Sequence, residues 1–292
     1  PSNSSAASDV YKRQGLSCVV NPLVGNDLFE LGKTEHPKNY TVVGGGLAGM
    51  EAALTLTKRG HKVTLYEKDK LGGQFNLASL PPNKDTLSKL VDYYKDELKN
   101  YGIPVVYKEV NGEDILTNKY DEVILATGAE PAIPRIEGLT KYFWAEVLSD
   151  ENLFQNKKVV IIGGGLIGIE IAHKLLKRNN EVIIVEMFGE MARGMEMIEK
   201  ALTLKSLKQQ NVPVYLNSRV TKVAGKKVFI EGEKQIVIEN VDHIIVAAGM
   251  KSYNPLESKL KDKIPLHVVG DAKKVGKAQD AIRDGFETAS KL

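Results

Sequence analysis

Cysteine is almost missing: Cys18 is the only one in 292 residues. One thiol cannot close an internal disulfide, so a disulfide-stapled secreted scaffold is excluded, and the usage fits a reducing cytoplasm. Long apolar runs are missing too, and no stretch approaches the ~20 residues that cross a bilayer as a helix. Charge of one sign is not in excess. Lys and Arg number 40 against 37 Asp and Glu, a net +3 spread without long basic runs. Nucleic acid and anionic lipid are therefore not expected partners. The five histidines form neither a triad nor a metal-ligand spacing. What is present is ordinary for a globular protein, 42% apolar and 26% charged, in a chain long enough for about two domains of roughly 150 residues.

Residues 1–14 are polar, Ser-rich and aperiodic. The string Asp9-Val10-Tyr11-Lys12-Arg13-Gln14 resembles a translated sequencing adapter, so the tail is set aside as an expression scar would be. On that expectation the natural chain is shortened and Gly15 is an accidental start. The rival reading is a disordered native tail.

The sequence repeats itself. Thr41-Val42-Val43-Gly44-Gly45-Gly46-Leu47-Ala48-Gly49-Met50-Glu51 aligns without a gap on Val160-Ile161-Ile162-Gly163-Gly164-Gly165-Leu166-Ile167-Gly168-Ile169-Glu170. Each copy opens with a β-branched run that reads as a buried parallel strand. Each continues into a helix-favouring segment, then a second strand ending in an acid, Glu67 or Glu186. First glycine to acid is 23 residues in both copies. A lone G-x-G-x-x-G is a weak signal. Strand, glycine triplet, helix, strand and acid, twice at one spacing, is a strong one.

The residue types suit the needs of a dinucleotide. Gly44 and Gly163 allow the tight strand-to-helix turn. Gly46 and Gly165 let a pyrophosphate approach the backbone, and Gly49 and Gly168 let the helix pack on the sheet. Free amides at the helix start then hold the diphosphate, while Glu67 and Glu186 accept from ribose hydroxyls. Glu51 and Glu170 read as acids in the first turn of each helix, worth ~0.3–1 kcal/mol.

Downstream of the acids the two copies diverge. After Glu67 comes Leu71-Gly72-Gly73-Gln74, a turn able to lie on a cofactor. A buried strand ends in the turn Ala126-Thr127-Gly128-Ala129-Glu130-Pro131, and Leu266 to Ala272 is a strand with Asp271 at its carboxyl end. Ligands of open α/β sheets sit at such ends, which places Asp271 to bond a polyol chain.

With these motifs, residues 38–292 resemble the flavoproteins that bind two dinucleotides in a glutathione-reductase-like fold. The resemblance implies an α/β protein of two Rossmann-like domains: an FAD-binding domain over 38–149 and 250–292, with an NAD(H)-binding domain inserted at 150–249. It assigns Gly44, Gly46, Leu47, Ala48, Gly49, Glu67 and Lys68 to FAD. Gly73, Gln74, the turn Ala126, Thr127 and Gly128, the pair Gly270 and Asp271, and a helix beginning near Ala281 and Ile282 complete that site. NADH falls to Gly163, Gly165, Leu166, Ile167, Gly168, Glu186 and Gly249.

Disulfide reductases of this fold carry a redox cysteine pair after the glycine turn, where this chain reads Gly73-Gln74-Phe75-Asn76-Leu77-Ala78. Thiol exchange is excluded. The run Ser17-Cys18-Val19-Val20-Asn21-Pro22 resembles the last cluster-ligating segment of Old Yellow Enzyme-like iron–sulfur NADH:flavin oxidoreductases, the group of 2,4-dienoyl-CoA reductases, enoate reductases, trimethylamine dehydrogenase and bile-acid-inducible reductases. Gly49-Met50-Glu51-Ala52-Ala53 and Arg59-Gly60-His61-Lys62-Val63 match the same group. The resemblance implies that residues 15–37 are the remnant of a [4Fe–4S] segment with Cys18 as one ligand. Electrons would leave FAD through that cluster to FMN in a barrel outside this sequence. A cluster of this type needs four thiolates, and one is present. No side chain is assigned as catalytic.

Glu186 predicts NADH over NADPH. A 2′-phosphate charge 4 Å from a carboxylate costs ~4 kcal/mol at an effective dielectric of 20, and half of that exceeds tenfold in affinity. Met187 and Phe188 supply no compensating cation. Two rival readings are a stand-alone NADH-dependent electron-transfer subunit and a redox sensor that binds nucleotides without turnover.

Overall fold

The computed structural model describes residues 18–25, 29–81, 84–140, 142–149 and 154–292. Residues 1–14, expected to be an artefactual tail, lie outside them, as do 15–17. The described chain divides into two compact units. Unit one holds the N-terminal part through Ala78, Thr86–Glu130 and Lys251–Leu292; unit two holds Ser79–Asp85 and Pro131–Met250.

In unit one, five strands lie parallel in the order Leu266–Val268, Glu122–Leu125, Asn39–Val43, Lys62–Glu67 and Val105–Tyr107. The central strands are β-branched and buried on both faces, as a parallel sheet covered by helices requires. Helix α1 (Leu47–Lys58) follows the first strand and stops at Arg59, with Gly60 at φ +100° supplying the left-handed residue after it. Helix α2 (Ser88–Asn100) turns Val91, Tyr94 and Leu98 inward. Tyr40, Met50, Leu54, Leu65 and Ile124 form the core between them. Each buried aliphatic contributes about 1.5–3 kcal/mol.

Unit two repeats the order of four strands, but its edge strand comes first in the chain instead of last. Tyr142–Phe143, His243–Val246, Lys158–Ile162, Glu181–Val185 and Val214–Tyr215 lie parallel side by side. Helix α3 (Leu166–Leu176) corresponds to α1, and helix α4 (Met197–Gln209) comes after the second acid. Arg219–Ala224, Lys227–Glu231 and Gln235–Ile238 form an antiparallel meander. Its Val220, Val228 and Ile230 pack with Val160, Ile162 and Ile183 of the sheet.

Three details differ from expectation. The long stretch of unit two begins at Pro131 rather than 150, with Ile136 and Leu139 packed on the meander's core and Glu137 paired with Lys222. The C-terminal helix α5 (Ala278–Ala289) starts ahead of Ala281, where the Asp280 carboxylate caps Lys277 N–H at 2.8 Å. Glu51 and Glu170 lie a full turn inside their helices, whose first turns contain no acid. The dipole term decays over that turn, so other contacts explain these two residues.

Candidate functional site

The first glycine loop is a tight hairpin of backbone. Gly44 sits at φ +108° with its N–H on Tyr66 O at 2.8 Å, and a Cβ there would lie 2.2 Å from Ala126 O. A Cβ on Gly49 would lie 1.9 Å from Gly44 O. The third glycine thus makes room for the loop's own carbonyl more than for the sheet. Gly46 is different: it caps α1 with extended backbone, and a Cβ on it meets nothing within 4 Å. The first intrahelical bond is Met50 N–H to Gly46 O at 2.9 Å. The amides of Leu47, Ala48 and Gly49 therefore have no acceptor within the helix. Open space beside donor amides at a positive helix end is a cradle for an anion.

The second loop is built the same way. Gly163 has φ +113°, and its Cβ would lie 2.2 Å from Ala247 O. Gly168 would meet Gly163 O at 2.0 Å, and Gly165 again faces open space. Leu166 and Ile167, half-buried, precede the first helical bond, Ile169 N–H to Gly165 O.

Both acids are buried and bind backbone. Glu67 accepts from Gly45 N–H at 2.6 Å and from Asp69 N–H at 2.9 Å. Glu186 accepts from Gly164 N–H at 2.6 Å and Phe188 N–H at 2.9 Å. The expectation gave these carboxylates to ribose. In the structure each holds its own glycine loop, and a carboxylate with about four lone-pair sites keeps capacity for a further donor.

A third strap closes each loop. Gly72 N–H donates to Gly45 O, and Ala192 N–H donates to Gly164 O, both at 2.8 Å. Leu71 and Met191 pack on the middle glycines. Gly72 takes φ +98°, whereas Ala192 is fully buried at φ +56°, a conformation costing a non-glycine residue ~1–2 kcal/mol. Ala192→Gly is therefore expected to stabilise the fold by ~1 kcal/mol. A denaturant midpoint at or below the wild type's would contradict this.

The other residues expected at the first cradle make the following contacts. Gln74 Nε2 donates to Ala129 O. Thr127 Oγ1 donates to Tyr253 O at 2.6 Å, and Tyr253 N–H donates to Gly128 O at 2.9 Å. Lys68 Nζ lies 5.7 Å from the Tyr253 ring centroid. Gly270 (φ +62°) donates its N–H to Asp284 Oδ2 at 2.8 Å and leaves no room for a Cβ beside Ala48. Asp271 accepts from Gly276 N–H at 3.0 Å, and burial pushes its carboxyl above the ordinary range. Tyr253 and Asp284 were missed; neither stands in a motif, and each acts from a distant stretch of chain. Ala281 N–H is spent on Lys277 O, and Ile282 is core, so the free amides of this helix start belong to Ala278 and Gln279. In unit two, Gly249 (φ +94°) accepts from Ala132 N–H at 2.9 Å.

Glu51 and Glu170 have unlike partners. Glu170 pairs with Lys84. Glu51 accepts from Tyr94 Oη at 2.7 Å and Thr55 Oγ1 at 3.1 Å. Burial raises its carboxyl pKa, opposed by those two hydroxyls and Lys58. A carboxyl whose folded value exceeds its unfolded one binds more protons when folded. Its favourable contribution is complete below the unfolded value and is lost as pH rises through the folded one. Glu51→Gln should thus exceed the wild type in stability at alkaline pH, and the gap should close in acid. Denaturation series at several pH values showing a constant or inverted gap would contradict this.

Cys18 is half-buried. Among the described residues no three His, Cys, Asp or Glu side chains could hold a metal ion together, and no helix is long and apolar enough to cross a membrane.

Residues 38–268 match the family model described as pyridine nucleotide-disulphide oxidoreductase. The chain is 36% identical over 294 residues to an NADH oxidase of Thermoanaerobacter brockii, covering 96% of this chain and 45% of that protein. It is also 36% identical over 284 residues to a cinnamate reductase of Clostridium sporogenes, covering 95% and 43%. A solved 2-naphthoyl-CoA reductase in complex with 2-naphthoyl-CoA superposes with a TM-score of 0.88 at 27% identity, over 99% of this chain and 46% of that one. The chain thus spans less than half the length of these relatives. It corresponds to the FAD/NADH half of Old Yellow Enzyme-like reductases. The chain belongs to the pyridine nucleotide-disulphide oxidoreductase family, the FAD- and nicotinamide-dependent oxidoreductases.

Proposed function

We propose that unit one binds FAD, that unit two binds NADH, and that the chain passes a hydride from the nicotinamide to the flavin. The duplicated cradle carries this reading: two helix starts with open space at Gly46 and Gly165, each strapped by a buried acid. FAD goes to the first because the Gly73-Gln74 turn lies against Gly46 and the Gly270-Asp271 pair lies against Ala48, a polar surround that the second copy's sequence lacks. On this reading 38–149 with 250–292 is the flavin domain and 150–249 the core of the nicotinamide domain.

Bound flavin supplies a carrier that takes two electrons from a nicotinamide and can release them singly. The protein's part is to bind and orient. Leu47, Ala48 and Gly49 amides would hold the flavin diphosphate, and Leu166, Ile167 and Gly168 that of NADH. Asp271 would accept from the flavin's polyol chain. Glu67 and Glu186 fix their loops and keep lone pairs for ribose. No side chain is assigned a proton. NADH is preferred over NADPH because Glu186 repels a 2′-phosphate. Arg193, whose guanidinium lies 4.1 Å from the Phe188 ring centroid, is a cation in the segment after Glu186 that the sequence reading overlooked.

Cys18 cannot close a [4Fe–4S] site, for the chain holds one cysteine and such a cluster needs four. No step runs through it in this chain. The cluster and an FMN barrel would belong to polypeptide outside these 292 residues, the relatives being about twice as long. The final acceptor would be an electron-poor double bond, in keeping with relatives named for cinnamate and 2-naphthoyl-CoA.

The test is anaerobic mixing of the flavin-loaded protein with NADH. Rapid bleaching of the flavin's visible band is expected, faster than with NADPH. A band that persists, with the nucleotide bound, would identify a sensor instead.

A further inference from the structure

We infer that Asn76 is the positioning residue of the flavin cradle, its amide fixing the shape of the glycine turn that faces the helix start. This rests on reading unit one as the FAD site. The wall facing Gly46 is the turn Leu71 to Gln74. Its two glycines have φ +98° and +51°, and a Cβ on Gly73 would lie 3.4 Å from Gly46 Cα. Such a turn has little intrinsic preference for one shape, because glycine ranges widely over φ and ψ.

Asn76 removes that freedom. Its Nδ2 donates to Leu71 O and to Gly73 O, both at 3.0 Å, and its N–H donates to Gly73 O at 3.3 Å. Its Oδ1 stands 2.7 Å from where a Gly72 Cβ would be, so the side chain backs the turn directly. Gly72 N–H, on Gly45 O at 2.8 Å, joins the turn to the loop behind the helix start. One amide therefore holds two carbonyls of the turn, and the turn lines the space that a diphosphate would enter. Neither the spacing of the glycines nor the acid at Glu67 signals this role.

Asn76→Asp is the discriminating variant. It has the same shape, but in place of a donor it turns a carboxylate on two carbonyl oxygens. Protonation restores one donor, so its defect should shrink in acid. Asn76→Leu removes both donors without adding charge and should have no such pH profile. The measurement is FAD dissociation from the whole protein by dialysis and flavin fluorescence from acid to neutral pH, with thermal midpoints of the flavin-free proteins beside it.

Both variants are expected to bind FAD about tenfold more weakly at neutral pH, the worth of one to two neutral hydrogen bonds. Asn76→Asp alone should recover towards acid, with flavin-free midpoints near the wild type's. Equal FAD affinity in Asn76→Asp and wild type across the pH range overturns the inference. So does an equal, pH-independent loss in both variants that tracks a lowered midpoint. A wild type that takes up no FAD sinks the reading of unit one instead, and is seen before any variant is made.

Discussion

Gly46→Ala is expected to keep the wild-type stability and to bind FAD about a hundredfold more weakly, an overpacking cost of ~2.7 kcal/mol. The two halves of that expectation come from one observation. A methyl on Gly46 meets no protein atom within 4 Å, and the residue caps α1 with extended backbone and no side-chain bond. The fold therefore has no objection to it. The methyl enters the open space beside the amides of Leu47, Ala48 and Gly49, where a diphosphate would lie. Gly165→Ala should do the same to NADH in unit two, where the surroundings are equally open. Equilibrium dialysis with each nucleotide, beside a denaturation curve, checks both halves. Unchanged FAD affinity would mean that the cradle is not where the cofactor lies.

Gly49→Ala is expected to behave in the opposite manner, losing ~3 kcal/mol of stability whether or not a nucleotide is present. Its methyl would sit 1.9 Å from Gly44 O and 3.1 Å from Ala126 Cβ. Gly44 cannot retreat, because its own position is hemmed in by Ala126 O and its N–H is held by Tyr66 O. The helix must move off the turn, and α5 resists that motion: Gly285 lies so close to Ala48 that a Cβ there would be 2.4 Å from its carbonyl. Gly168→Ala, 2.0 Å from Gly163 O, should show a similar loss. Urea unfolding of the nucleotide-free proteins measures it. A loss under ~1 kcal/mol would show that the loop yields as overpacked sites sometimes do.

The parts legible in the sequence are those that local geometry dictates. A strand that turns at once into a helix needs glycine at its first position, so Gly44 and Gly163 stand out, and the acids come one strand later at a fixed spacing. Their second duty, holding the middle glycine's amide, was hidden because the loop's own backbone is the partner. Ala192 concealed the symmetry of the straps, since alanine at positive φ carries no sequence signal, whereas Gly72 advertises it. Asn76, Tyr253 and Asp284 were illegible for another reason. Asn76 bonds carbonyls three and five residues back, in a glycine turn whose shape the sequence does not display. Tyr253 and Asp284 bond backbone groups whose need for a partner appears only when separate turns meet in space, across 126 residues for Thr127 and Tyr253. The place of Glu51 was misread for the same cause, its partner Tyr94 being 43 residues away on α2. The meander at 219–238 was passed over, although Val228 and Ile230 alternate with Lys227 and Glu231 in the period of a strand.

The central claim is that two like cradles hold two different nucleotides. Ligand stoichiometry of the wild type, Gly46→Ala and Gly165→Ala proteins, each dialysed against FAD and against NADH, tests it most directly. The wild type should bind one of each per chain, Gly46→Ala should lose FAD alone, and Gly165→Ala should lose NADH alone. Loss of the same nucleotide from both variants, or retention of both nucleotides by either one, would contradict it.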